Sequence, residues 1–145
     1  MTTPFPYSKS DAIEFIEKHQ NGTKDNCYFA ICLKDTGAVI GGTVVRFVDG
    51  KDSGGIWINQ KNHGFGYGRE AMRARAKYLF EILGLDKIHS GYFYYNEQSK
   101  KMHSKIGYEI VGEKTNICPA LKMEVKEILV EITKEKFYKT LNNGK

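Results

Sequence analysis

Three glycines alternate through His63-Gly64-Phe65-Gly66-Tyr67-Gly68-Arg69-Glu70-Ala71, immediately ahead of a strongly amphipathic stretch. Glycine lacks Cβ, so a ligand can come close to the main chain, and the unpaired N–H groups at the start of the following helix attract an anion. The chemistry offered by this spacing is phosphate binding by backbone amides, and a phosphate-bearing cofactor is expected there. A second segment, Asn96-Glu97-Gln98-Ser99 running to Lys105-Ile106-Gly107-Tyr108, stands at the end of the strand that follows the amphipathic stretch.

The glycines admit other readings. Gly66-Tyr67-Gly68-Arg69-Glu70-Ala71 formally satisfies the G-x-G-x-x-G/A dinucleotide fingerprint, which requires glycine directly after a strand and an acidic residue about 20 positions later at the end of the next one. Here residues 60–63 intervene, and the next predicted strand ends too far on, at Asn96-Glu97. No Gly-Lys-Ser/Thr follows the glycines, which excludes a Walker loop. A tight strand-to-helix turn without a ligand is the plainest alternative, and the segment from Asn96 weighs against it.

The elements that must position these groups can be read from periodicity. Ser8 or Ser10 caps a first helix bearing Ala12, Ile13, Phe15 and Ile16, which ends near His19 before Asn21-Gly22. Residues 28–33 and 38–48 form a hairpin around Lys34-Asp35-Thr36-Gly37, and 55–59 form a short third strand leading to the glycine loop. From Arg69, the residues Met72, Ala76, Leu79, Phe80 and Leu83 trace one helical stripe that Gly84 ends. A strand over 87–95 follows. Asn96 then caps a short helix whose Ser99, Met102, His103 and Ile106 share a face before Gly107. Strands over 108–113 and 122–133 close the chain, connected through 116–120, and residues 142–145 fray. The order describes an α+β fold, a mixed and mostly antiparallel sheet flanked by helices, with the long helix as the crossover between two parallel strands.

Composition bounds the class. The 145 residues, 41% hydrophobic and 27% charged, suit a single domain over 1–145. The net charge of +5 and pI near 9.0 permit a polyanion partner, but lysine alternates with glutamate along the last third, the pattern of a solvated surface rather than a nucleic-acid arm. A modest positive field also suits a phosphorylated small ligand. Cys27, Cys32 and Cys118 are odd in number and lack metal-ligand spacing, so neither a disulfide scaffold nor a structural metal is expected. The start lacks a basic n-region and an apolar h-region, and no run of about 18 apolar residues occurs, so a cytoplasmic protein without a membrane partner is expected.

The succession of strand, glycine loop, amphipathic helix, strand ending in Asn-x-x-Ser, short helix and Gly-Tyr resembles the GNAT superfamily of acetyl-CoA-dependent N-acetyltransferases over roughly residues 38–113. Within it, Gly-Tyr-Gly-x-Glu-Ala and the later Phe80-Glu81-x-Leu83-Gly84-Leu85-x-Lys87-Ile88 are similar to the branch holding the ribosomal-protein N-terminal acetyltransferases. The resemblance implies that the diphosphate of acetyl-CoA rests on the loop amides of Phe65, Gly66, Tyr67, Gly68, Arg69 and Glu70. It also implies that the pantetheine arm pairs with backbone near Ile58 and Asn59, and that Asn96 and Ser99 lie near the thioester. The bland roles of Asn96 and Ser99 are those of a helix cap and a first-turn polar residue.

Acetyl transfer needs a neutral amine, a donor for the developing oxyanion and an acid for the thiolate, while orientation alone supplies effective molarities of about 10⁵ M or more. A strand N–H near Ile58 or Asn59 could serve the oxyanion. The family's usual acid, a tyrosine, falls on His103, so Ser99 is placed first as the acid and His103 second, with a packed, satisfied histidine as the alternative for the latter. Tyr108 is assigned to the core. His63 stands where the loop has Arg or Gln, and Ser53 where the branch often has a glutamate base; Asp49 and Asp52 nearby read as solvated turn residues. At pH 7 roughly 10% of an α-amine of pKa about 7.8 is neutral, against about 0.04% of a lysine amine of pKa about 10.4, a difference approaching 3.5 kcal/mol. A missing base therefore points to a peptide or protein N-terminal α-amine, or another amine of low pKa, as acceptor. The rival reading is a CoA-binding protein with little or no catalysis. Members of the branch begin with a further strand and helix, so the sheet here is expected to lack an edge strand, an edge that a second copy in a homodimer could cover.

Overall fold

Ser8 opens the first helix through a reciprocal cap. Its Oγ accepts the Asp11 N–H at 3.2 Å while its own N–H donates to the Asp11 carboxylate at 2.7 Å, and α1 (Lys9–His19) follows. The computed structural model describes residues 8–48, 51–118 and 123–143. No residue of α1 is buried; Phe15 meets Tyr28 edge-on at 5.0 Å, while Ile13 and Ile16 stay exposed.

β1 (Asn26–Cys32) and β2 (Val39–Val48) form the expected hairpin, with Gly37 at φ 69° in the turn. β3 (Lys51–Asp52) and β4 (Ile56–Ile58) both pair antiparallel with β2, and Thr43 faces Ile56. Among the described residues β1 pairs with β2 alone, so its outer edge is free. α2 (Tyr67–Lys77) begins two residues before Arg69 and widens into a π turn over Tyr78–Ile82, which ends before Gly84 at φ 70°. Met72, Ala76, Leu79 and Phe80 are buried, as their stripe requires.

The second sheet is built from β5 (Lys87–Phe93), β6 (Glu109–Cys118) and β7 (Met123–Thr133) in the order β5-β7-β6, and α3 (Glu97–Ile106) joins β5 to β6. The expected crossover between two parallel strands is corrected here. β4 bonds to β2 and β5 bonds to β7, both antiparallel, and no ladder joins β4 to β5 among the described residues. The chain therefore makes two sheets that part where α2 leaves one and enters the other. Residues 116–118, expected in a connection, extend the β6–β7 ladder instead, with Asn116 opposite Val125. Residues 119–120 and 122 of the expected connection and last strand lie outside the described residues. The alternating lysines and glutamates form ion pairs along this sheet, Lys114 with Glu127 at 3.4 Å, Lys126 with Glu113 at 2.8 Å and Lys87 with Glu131 at 2.9 Å.

A helix absent from the sequence reading completes the fold. α4 (Lys134–Asn143) runs through two of the residues expected to fray, and Thr133 Oγ1 accepts the Lys136 N–H at its start. Its anchor is Phe137, fully buried with its ring 5.4 Å from that of Phe80. Val45 from the first sheet, Ile88 and Ile132 from the second, Ile106 from α3 and Phe137 from α4 meet Leu79 and Phe80 in one core.

One pair of opposite charges lies inside among the described residues. Arg75, on the buried side of α2, donates through Nη2 to both Asp52 carboxylate oxygens at 2.6 Å and through Nε to the Val44 carbonyl at 3.1 Å. Each side chain of the pair is 3% exposed, which corrects the reading of Asp52 as a solvated turn residue. Asp49, the other residue so read, lies outside the described residues.

Removing one partner of a buried ion pair strands the other. Asp52→Ala should lower stability to urea by about 3–5 kcal/mol, and Arg75→Met added to it should restore part of that loss. Equal stability of Asp52→Ala and the unmodified chain would show that the pair carries no structural role.

Candidate active site

The path from β4 to α2 is closed by His63, whose Nε2 lies 2.8 Å from the Ile58 carbonyl. A carbonyl only accepts, so Nε2 carries the proton and the ring is spent on tying the turn. Gly64 and Gly66 follow in the left-handed region at φ 86° and 88°, and Gly66 is the N-cap of α2 without any capping side chain. The Glu70 N–H is the first to find an intrahelical acceptor, the Gly66 carbonyl at 3.0 Å. The amides of Tyr67, Gly68 and Arg69 are left pointing out of the helix start.

A Cβ placed on Gly64 or Gly66 would meet no atom within 4 Å, so the space a side chain would take at either position is open. Gly68 differs. A Cβ there would lie 3.6 Å from Met102 Sδ and 3.8 Å from Ile58 Cγ1, so its Cα side is the contact point of α2 with α3 and β4, while its N–H stays among the open amides of the helix start. A cavity of about 280 Å³ opens beside the loop, lined by Phe65, Gly66, Arg69, Glu70 and Arg73. Arg73 was not singled out from sequence, although it lies one turn beyond Arg69 on the same face. Its Nε is buried and without a hydrogen-bond partner, a state that costs about 1–3 kcal/mol unless an acceptor arrives. Open backbone amides, glycines without side chains and an unpaired guanidinium donor fit the diphosphate of coenzyme A.

The ladder decides which β4 amide is free. Asn59 donates to the Ile40 carbonyl at 2.8 Å and Val44 to the Gly55 carbonyl at 3.0 Å, so alternate residues bond towards β2. Ile58 opposes Gly41 in a pair of the other kind, and its N–H faces the edge of β4 that is open among the described residues. Of the two candidate donors, Ile58 remains available and the Asn59 N–H is committed.

On α3, Asn96 is the N-cap, its Oδ1 accepting the Ser99 N–H at 3.0 Å. His103 is 3% exposed, with Nδ1 2.8 Å from the Ser99 carbonyl and Nε2 3.0 Å from Ser90 Oγ. The carbonyl forces Nδ1 to carry the proton, so Nε2 accepts from the Ser90 hydroxyl. Burial holds the imidazole below its usual pKa; the Ser99 carbonyl opposes this and the Arg75 charge adds to it. His103 is thus a neutral, packed ring between Tyr92 and Tyr108. Ser99 Oγ lies 3.3 Å from the same Nδ1, where it can only accept, and its own proton is left to donate elsewhere.

Ser53 is exposed and exchanges hydrogen bonds with Arg46 through its Nε at 3.1 Å and its carbonyl at 3.3 Å. Tyr108 lies in the core as expected; burial pushes its phenol far above the ordinary range, and the hydroxyl has no partner.

Residues 1–109 match the model of the acetyltransferase (GNAT) domain. The fold is shared with a GNAT-family acetyltransferase from Bacillus anthracis, 24% identical, covering 89% of this chain and 76% of that one at a TM-score of 0.77. It is also shared with the ribosomal-protein-S5-alanine acetyltransferase from Vibrio fischeri, at 21% identity, coverage of 89% and 72% and a TM-score of 0.69. A chimeric spermidine N-acetyltransferase from Vibrio cholerae gives 18%, 90%, 80% and 0.75 for the same four measures. A search of curated protein sequences found no match. The chain belongs to the GNAT acetyltransferase family, and is an N-acetyltransferase with acetyl-CoA as its cosubstrate.

Two outcomes follow. Gly66→Val forces a β-branched residue to φ near +88° at a strain of about 1–3 kcal/mol and fills the cradle, so calorimetry should show loss of acetyl-CoA binding. Binding undiminished in that variant would place the diphosphate elsewhere. For His103, the unfolded chain takes up a proton as pH falls below about 6.5 while the folded chain resists it, so stability is complete above that pH and declines below it. His103→Gln should flatten the fall in Tm between pH 7 and 5, and an unaltered slope would contradict the buried neutral ring.

Proposed function

We propose that the protein transfers the acetyl group to an amine of low pKa, with the α-amine at a peptide or protein N-terminus as the best-supported acceptor. The observation that carries this reading is the fate of Asp52. The one described carboxylate beside the start of β4 is sealed against Arg75, and Ser53 next to it offers no proton acceptor of comparable strength. An amine reaching this site has to arrive largely neutral, as an α-amine does and a lysine does not.

Bound acetyl-CoA supplies the activated acyl group. The amides of Tyr67, Gly68 and Arg69 and the loop before them hold its diphosphate, and the free Ile58 N–H is the donor for negative charge on the carbonyl oxygen. Ser99 Oγ, whose proton His103 does not use, is the acid for the departing sulfur. His103 is the positioning residue behind it, holding the Ser99 carbonyl and ring face in place. Asn96 fixes the first turn of α3 and so the height of Ser99. Solved relatives in fold include both a ribosomal-protein-alanine and a spermidine acetyltransferase, so the fold alone does not select the amine.

Matched peptides carrying either a free α-amine with blocked lysine, or a free lysine with blocked terminus, test the acceptor. The α-amine peptide should be acetylated at least about 100-fold faster near pH 7; faster lysine acetylation would overturn the proposal. Ser99→Ala should reduce kcat while leaving the dissociation constant of acetyl-CoA within about twofold.

A further inference from the structure

The outer edge of the first sheet is open for pairing and carries nothing that would prevent it. Ile40 and Val44 turn main-chain groups to β4, so Gly41, Thr43 and Val45 face β1, opposite Ile31, Phe29 and Cys27. Tyr28 and Ala30, out of step with these, point their N–H and C=O groups outward, where no described residue meets them. Asn26 points outward too, but bonds Thr23 through both groups. The strand Asn26–Cys32 has no charge, proline or glycine, whereas β6, at the far edge of the other sheet, has Glu109, Glu113 and Lys114. Charges and prolines are what keep a sheet edge from joining another chain. Beneath β1, on the face turned to α2, lies a cavity of about 530 Å³ lined by Phe29, Ile31, Thr43, Val45, Ala71 and Ala74. Phe29 is 42% exposed there, edge-on to Tyr78 at 5.4 Å.

We infer that β1 pairs antiparallel with β1 of a second copy of this chain, joining the two first sheets across a two-fold axis at Phe29. The free groups fix the register. Tyr28 and Ala30 lie symmetrically about Phe29, so Tyr28 of each copy meets the partner's Ala30, with about four main-chain hydrogen bonds in all, and Phe29 faces the partner's Phe29. Moving the axis to Ala30 would set Asp25 opposite the partner's Asp35, and moving it to Tyr28 would call on the groups that Asn26 has given to Thr23. Both Phe29 rings lie on the cavity face, where each covers apolar surface of the other copy. The turns flanking the strand, Lys24-Asp25 and Lys34-Asp35, each sum to zero charge, and antiparallel pairing brings one against the other without net repulsion. Free groups, apolar ring and flanking charges all map onto themselves under this rotation, which commits the edge to a second copy rather than to an unrelated peptide.

Sedimentation equilibrium of the full chain should give the mass of a dimer at about 50 μM. Ala30→Pro removes an N–H that faces outward and none that bonds β2, so it should weaken self-association at least about 100-fold while a thermal melt shows the fold retained. Register is read separately, in a chain carrying Cys27→Ser, Cys32→Ser and Cys118→Ser. There Phe29→Cys should cross-link two copies in oxidised glutathione, because residues facing each other in a non-hydrogen-bonded pair stand about 4.5 Å apart at Cα. Ala30→Cys, displaced by two residues from its own copy, should not. Should Ala30→Pro unfold, the cross-link at position 29 decides. A monomer at that concentration, a dimer that Ala30→Pro leaves intact, or cross-linking at position 30 without position 29 would overturn the pairing. Slow hydrogen exchange at the Tyr28 and Ala30 amides of a monomer would give the edge to another stretch of the same chain, and would overturn it equally.

Discussion

Arg75 places a full positive charge among the apolar residues of α2, and much of the first half of the molecule is arranged to meet it. Its Nη2 binds both oxygens of Asp52 and its Nε binds the Val44 carbonyl, so β2, β3 and α2 are joined by one side chain. Asp52 accepts the Gly54 N–H as well, at 3.0 Å. Only glycine fits there, because a Cβ would come within 2.1 Å of the Val44 carbonyl and 2.2 Å of the guanidinium. Helix, strands and the turn before β4 are thereby locked in register, and with them the glycine loop that β4 feeds. A buried pair of this kind adds little net stability over apolar packing, but breaking it is costly, which suits a device that enforces one geometry.

The same contact shapes the chemistry. A carboxylate that could have accepted a proton from the amine is consumed as a counter-ion, and the imidazole that could have replaced it is buried neutral with both nitrogens engaged. In the proposed mechanism the groups left for reaction are loop amides, one strand N–H and one serine hydroxyl. Such a site works chiefly by holding reactants in place, the regime in which orientation supplies most of the rate. On the proposed reading, the ionisation state of the incoming amine matters more here than in a site with a dedicated base.

Much of the framework was legible along the chain because short-range rules govern it. The Ser8 cap, the turn at Gly37, the apolar stripe from Met72 and the Asn96 cap depend on neighbours a few residues away, and each is where its pattern put it. Readings failed where partners lie far apart in sequence. Asp52 resembles any turn aspartate until Arg75, 23 residues on, folds back on it. Phe137 and Leu141 make too short a stripe to announce α4, and Phe137 is buried by Phe80 and other core residues distant from it in sequence. The two strands flanking α2 read as a parallel pair, yet among the described residues β4 ladders to β2 alone and β5 to β7 alone, and the other edge of β4 stays open.

By itself the sequence determined the glycine cradle, the helix behind it, the cap at Asn96 and the class of ligand those imply, since backbone freedom and helix-end polarity are local properties of the residues. The tertiary structure alone decided which groups are free to act. Ladder alternation spends the Asn59 amide and releases that of Ile58, burial silences His103, and Arg75 removes Asp52 from the list of bases. Availability of a donor or a proton depends on what else is within hydrogen-bond reach and how much water is excluded, and neither exists until distant segments have packed.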